Sequence, residues 1–123
     1  MSLDKISTHE DLVVWKQSIE FITDVYKSTS DYPKSEIYGL ASQMRRAAVS
    51  IGSNIAEGAA RKGHKEFIQF LYIALGSCAE LHTQILVSKN LNYLSNNQLM
   101  DKLMEIKRML IGLISSIEKK RNL

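Results

Sequence analysis

The 123-residue sequence contains one proline, one cysteine and one tryptophan. A lone proline, Pro33, leaves the chain free to form long uninterrupted helices. A lone cysteine, Cys78, excludes an intrachain disulfide framework and suits a reducing compartment. No unbroken apolar run approaches the roughly 20 residues of a membrane-spanning helix. The stretch MSLDKISTHEDL lacks the apolar centre of a secretory signal. No segment alternates with the period of a strand, and there is no internal repeat. The HExxH pair of zinc hydrolases and the glycine-rich dinucleotide fingerprint are both missing. These absences predict an all-α cytoplasmic protein with no catalytic residues, no cofactor, no metal and no membrane partner.

What is present is ordinary globular material. Apolar residues make up 45% and charged residues 24% of the chain, which excludes a disordered polymer. One domain of this length can bury a core. Apolar residues recur at helical spacing in four segments, about 10–28, 35–57, 64–88 and 95–120. In the first, Thr8 and Asp11 have the spacing of a capping box. Leu12, Trp15, Ile19, Ile22 and Tyr26 form one stripe, and Val14, Phe21 and Val25 a second. The second segment carries Ile37, Leu40, Met44, Ala48, Ile51 and Ile55, with Gly58 as a C-terminal stop. The third carries Phe67, Leu71, Ala74, Cys78, Leu81 and Ile85, with Gly63 as its N-cap and further apolar residues on most of its other faces. In the fourth, Ser95 and Gln98 have capping-box spacing ahead of Leu99, Leu103, Ile106, Leu110, Leu113 and Ile117. Long helices joined by short connections predict an antiparallel up-down-up-down four-helix bundle. The first, third and fourth helices carry more apolar surface than one stripe, so the chain is expected to associate with itself.

The net charge is only +3, but it is segregated. Arg45, Arg46, Arg61, Lys62 and Lys65 face a single acid, Glu57, between residues 41 and 65. Lys107, Arg108, Lys119, Lys120 and Arg121 face only Glu118 near the C-terminus. Such clustering creates local positive fields that the average hides. Arg45 and Arg46 have no acid within a turn. On the helical wheel Arg45 lies on a flank beside Ala41, Gly52 and Ala56, small residues that admit a close neighbour, and Arg46 points away from the core. Two arginines in this setting serve either an anion site or a subunit contact. The anion site expected here is Arg45, Arg46, Arg61, Lys62 and Lys65. Lys119, Lys120 and Arg121 are weaker candidates, since cations at a helix C-terminus complement the dipole in any case.

Several partial motifs resolve into structural roles. GAARKGHK, Gly58 to Lys65, resembles a phosphate-binding loop, but His64 stands where its lysine belongs and no strand precedes it. Cys78 and His82 share a helix face, but with no third ligand they read as a buried thiol beside an ordinary histidine. Asn54 lies at the edge of its core stripe, as an interhelix hydrogen-bonding residue would.

Three stretches, EDLVVWKQSIEF, YGLASQMRRAAVSIGSNIAEGAARKGHKEFIQFLYIALGSCAELHTQI and LNYLS, resemble one family over about Glu10 to Ile117. It comprises bacterial four-helix bundle proteins encoded in intervening sequences of 23S ribosomal RNA genes. The accessory variability protein of diversity-generating retroelements is a relative. SQMRRAAVSI, SNIAEG and EFIQFLYIALGS are the most specific parts. The family often has proline where this chain has Gly52. The resemblance implies an up-down bundle, a ring-shaped homopentamer with a basic surface, and no catalysis. It also implies binding of RNA or DNA and cooperation with a reverse transcriptase or another protein partner. The alternative reading of the same residues is a structural or adaptor oligomer acting through a protein partner, with the arginines in subunit contacts.

Overall fold

The computed structural model describes His9 and residues 12–121. Within them are helices α1 (Val13–Thr29), α2 (Leu40–Ala59), α3 (His64–Asn90) and α4 (Gln98–Arg121), with a short 3-10 turn at Lys34–Glu36 before α2. Each helix packs against its two sequence neighbours, and α4 closes the bundle against α1. The architecture is the expected all-α up-down-up-down bundle. Thr8 and Asp11 lie outside the described residues.

The core is a stack of aliphatic side chains contributed by all four helices. Phe21, Val25, Met44, Ile51, Ile55, Leu71, Leu81, Ile85, Leu103, Leu110 and Ile117 are fully buried. Burying each large side chain of this kind contributes about 1.5–3 kcal/mol relative to leaving it in water. On α1 the buried stripe is the second of the two in the sequence: Val14, Phe21 and Val25, completed by Ser18 and Thr29. The hydroxyls of Ser18 and Thr29 stay inside because each donates to the carbonyl one turn back, Val14 O and Val25 O, both at 2.8 Å. Ile19 and Tyr26 of the first stripe are exposed instead.

α2 and α3 form the tightest pair. Small residues on α2 allow this. Ala48 is fully buried. Ser77 Oγ of α3 donates to Ser50 Oγ of α2 at 2.8 Å. Asn54 Nδ2 donates to the same hydroxyl at 3.0 Å and to Ser50 O at 2.8 Å, so Asn54 reaches α3 only through Ser50. Gly58 is not a helix stop: α2 runs through it to Ala59. A Cβ there would lie 2.8 Å from Phe70 Cβ and 2.9 Å from Phe67 Cδ1. Gly58 is therefore the point of close approach between the two helices. α2 also runs unbroken through Gly52, whose absent side chain leaves room for Ile22 of α1.

The helix ends also depart from expectation. α2 begins at Leu40, not near 35, because the chain turns at Gly39 and Glu36 caps the helix from outside. Glu36 Oε1 accepts from Leu40 N at 3.1 Å. That turn moves Ile37 out of the predicted core stripe; it is 54% exposed. α3 ends in a Schellman motif. Asn92 takes the left-handed conformation (φ 62°), and Tyr93 N donates to Ser88 O at 2.8 Å. At α4 the capping oxygen is Asn96 Oδ1, which accepts from Gln98 N at 3.0 Å, rather than the expected Ser95.

By length and mean hydropathy α3 is long enough and apolar enough to cross a membrane, although it contains no unbroken apolar run. Its buried side is the expected stripe, with Ile68, Ser77, Gln84 and Ser88 added. Tyr72, Ile73, Leu86 and Val87 are about half exposed, so one chain does not enclose this helix.

Candidate nucleic-acid interface

Arg45 and Arg46 are adjacent in sequence and differ in role. Arg45 turns back along α1. Its Nε donates to Thr29 Oγ1 at 2.8 Å and its Nη2 to Tyr26 O at 3.2 Å. Its guanidinium carbon lies 4.7 Å from the Tyr26 ring centroid. Tyr26 O lies in the last turn of α1 and also accepts from Ser30 N at 3.1 Å and Thr29 Oγ1 at 3.3 Å. Arg45 thus adds a charged donor at the negative end of α1. This contact was not among the roles expected for Arg45, and it leaves the side chain lining a groove on α2. The signal was its distance along the chain from a helix end, and only the antiparallel packing of α1 on α2 makes the two meet.

Arg46, one residue on, is exposed and has no hydrogen-bond or ion-pair partner among the described residues. Arg45 and Arg46 together line a groove of about 470 Å³ between α1, the turn before α2 and the outer face of α2. Tyr26, Ile37, Ser42, Val49 and Ser50 complete its lining.

The other predicted cations lie elsewhere. Arg46 and Arg61 are separated by roughly 22 Å along the axis of α2 at 1.5 Å per residue. The five predicted residues therefore form two groups at opposite ends of the bundle. Arg61 stacks 4.8 Å from the Phe70 ring centroid and pairs with Glu57 at 3.7 Å. That pair exists because α2 continues past Gly58. It is well exposed on both sides and so adds little stability. Lys62 and Lys65 are exposed and have no partner among the described residues. GAARKGHK is a helix–helix turn with Gly63 as N-cap of α3, as expected, and no strand leads into it.

The C-terminal cations share this end. Leu75 and Ile111, and Cys78 and Lys107, line one groove between α3 and α4. Because α3 and α4 pack antiparallel, the last turn of α4 lies at the same end of the bundle as the first turn of α3. The α2–α3 turn and the last turn of α4, with Lys119, Lys120 and Arg121, thus form one basic end. Sequence reasoning ranked the α4 cluster low. The antiparallel topology already contained the signal, since it places the second and fourth C-termini together.

Cys78 and His82 both line the α3–α4 groove, which is about 320 Å³ and mainly apolar. Cys78 is 2% exposed. Burial pushes its thiol up to about 11, against a smaller opposing effect of Lys107. No group of three or more potential ligands capable of holding a metal occurs among the described residues.

No curated protein matches the chain. Among solved structures, it resembles a protein of unknown function from the S23 ribosomal protein family of Bacteroides thetaiotaomicron VPI-5482. The TM-score is 0.73 and the identity 27%, over 83% of this chain and 98% of that one. The profile of the 23S rRNA-intervening sequence proteins matches residues 10–112 and so spans all of α1, α2 and α3 and most of α4. With the four-helix architecture in agreement, the chain belongs to the 23S rRNA-intervening sequence protein family.

Proposed function

We propose that this is a non-enzymatic, cytoplasmic homo-oligomer that binds the phosphate backbone of RNA or DNA through its basic surfaces. The observation that carries the reading is the shared basic end: Arg61, Lys62 and Lys65 on one connection, with Lys119 and Arg121 on the last turn of α4. Converging cations of this kind attract a polyanion without reading its sequence. The free N–H groups at the start of α3 add a favourable dipole for phosphate. Arg46 supplies a second contact at the opposite end.

Self-association, with a pentamer as the expected state, rests on what one chain leaves uncovered. Ile73 and Val87 of α3 and Ile111 of α4 are exposed apolar residues. Repetition of the basic end in a ring multiplies its field.

The test is fluorescence anisotropy with labelled RNA and DNA at several salt concentrations, alongside sedimentation at micromolar protein. The parent is expected to bind with an affinity that falls steeply as salt rises, and to sediment as an oligomer. The triple variant Lys62→Ala, Lys65→Ala, Arg121→Ala is expected to bind more weakly, with a salt slope flatter by roughly 0.9 per lost contact on duplex DNA. A parent that binds neither nucleic acid at low salt would replace this reading with a structural oligomer acting through a protein partner. A species of one chain mass would remove the assembly.

A further inference from the structure

The turn before α2 holds two apolar side chains in water. Ile37 is 54% exposed and Tyr38 96% exposed. Nothing in the core requires them, yet the turn that carries them is firmly tied. Glu36 N donates to Pro33 O at 2.9 Å, and Gly39 N to Glu36 O at 3.1 Å. The Glu36 carboxylate accepts from Leu40 N at 3.1 Å and from the Tyr93 hydroxyl at 3.1 Å. Tyr93 in turn packs against Tyr32, with ring centroids 5.0 Å apart. A side chain held out by a fixed backbone loses little freedom when something docks on it.

Beside this turn is the groove that Ile37, Tyr26, Arg45 and Arg46 line. Its volume, about 470 Å³, falls within the range of small-ligand sites. It has two guanidinium groups and the Ser42 hydroxyl, and no carboxylate lines it. One guanidinium is already stacked on an aromatic ring. The ligand chemistry that matches is an anion joined to a flat aromatic group.

We infer that this groove is a site for unpaired nucleotides. A phosphate pairs with Arg46, a ribose hydroxyl reaches Ser42, and a neighbouring base outside the groove stacks on Tyr38, which does not line the groove but follows its lining residue Ile37 in the chain. Duplex nucleic acid keeps its bases inside and cannot use a tyrosine this way, whereas unpaired bases stack on exposed aromatic rings. The inference rests on the proposed nucleic-acid binding and adds a preference for unpaired strands, at the end of the bundle opposite the shared basic end. The sequence alone shows no such platform, because Ile37 falls on the helical stripe that predicts burial.

The experiment compares a ten-nucleotide oligouridylate with a blunt duplex RNA of the same length. Anisotropy is measured at low salt, and a 5-iodouridine oligomer is photocrosslinked and mapped by mass spectrometry. The parent is expected to prefer the unpaired strand and to crosslink at Tyr38. Tyr38→Ala should weaken unpaired-strand binding about tenfold and leave duplex binding unchanged, while Tyr38→Phe, which keeps the ring, should behave as the parent. Arg46→Ala should weaken the same ligand. A parent that binds both ligands equally, with Tyr38→Ala unaltered, overturns this inference and leaves backbone binding standing. A parent that binds neither overturns both. A Tyr38→Ala variant that changes the assembly mass makes the turn a subunit contact, and also overturns it.

Discussion

Three helical glycines offer a matched test of how closely α2 and α3 are pressed together. Gly58, Gly76 and Gly112 all lie within helices, and none has positive φ. On backbone propensity alone, replacing each by alanine should stabilise by about 0.5–1 kcal/mol. Their surroundings differ sharply. A Cβ on Gly76 or Gly112 meets nothing within 4 Å. On Gly58 it meets Phe70 Cβ at 2.8 Å, Phe67 Cδ1 at 2.9 Å and Phe67 O at 3.2 Å. Two of those atoms are backbone or next to it, so the first turn of α3 must move. Overpacking of this kind costs about 1–3 kcal/mol, which exceeds the propensity gain. The net expectation for Gly58→Ala is a loss of about 1–2 kcal/mol. For a domain of this size that lowers Tm by about 4–8 °C. Gly76→Ala and Gly112→Ala should each raise it by about 2–4 °C. Gly52→Ala falls between, because the atom it meets at 3.2 Å is Ile22 Cδ1, the free end of a flexible side chain. Thermal unfolding followed by circular dichroism at one fixed protein concentration measures all four. If Gly58→Ala melts at or above the parent, the α2–α3 contact is not closed at that residue.

Two further expectations concern single side chains. Arg45→Ala should destabilise by about 1–2 kcal/mol by removing two hydrogen bonds and the charged donor at the end of α1, and Arg45→Lys should not restore it, because an ammonium cannot reproduce the planar fork. Arg46→Ala should leave urea unfolding within about 0.5 kcal/mol of the parent; equal losses for Arg45→Ala and Arg46→Ala would contradict this role of Arg45. Cys78 should resist iodoacetamide until the protein unfolds, and rapid alkylation of the folded chain would show the thiol to be accessible. Its folded value is about 11, above the usual 9.0. The native state therefore holds the proton where the unfolded chain releases it. Its contribution is complete below about pH 9 and is lost as pH rises toward 11. Between those limits the parent should lose on the order of 2 kcal/mol more than Cys78→Ala, measured by urea midpoints.

The repeat of apolar residues along α3 and α4 was enough to predict most of both buried stripes, because a helix that must hide one side declares it every three or four residues. On α4, Ile114 is buried and the expected Leu113 only half-buried, since adjacent apolar residues leave the local choice to packing. The same logic yielded the four-helix topology and the N-cap at Gly63. It did not decide between the two stripes of α1. Both have helical spacing, and the choice depends on how α1 is rotated against α2, where Gly52 leaves room for Ile22 and Arg45 lies over Tyr26. It also placed Ile37 in the core by extending a period through Gly39, where the chain turns. The basic residues were legible as clusters of charge, but their grouping was not. The helical wheel separates Arg45 on a flank from Arg46 on the outer face, but it does not show that one reaches the end of α1 while the other stays in water. Lys65 and Arg121 are far apart in the chain, yet the antiparallel packing of α3 and α4 puts them at the same end of the bundle. Sequence by itself determined which faces are apolar and how many helices form, since those follow from local periodicity. Only the tertiary structure decided what each arginine meets, because its partners are carbonyls, rings and charges brought in by other helices.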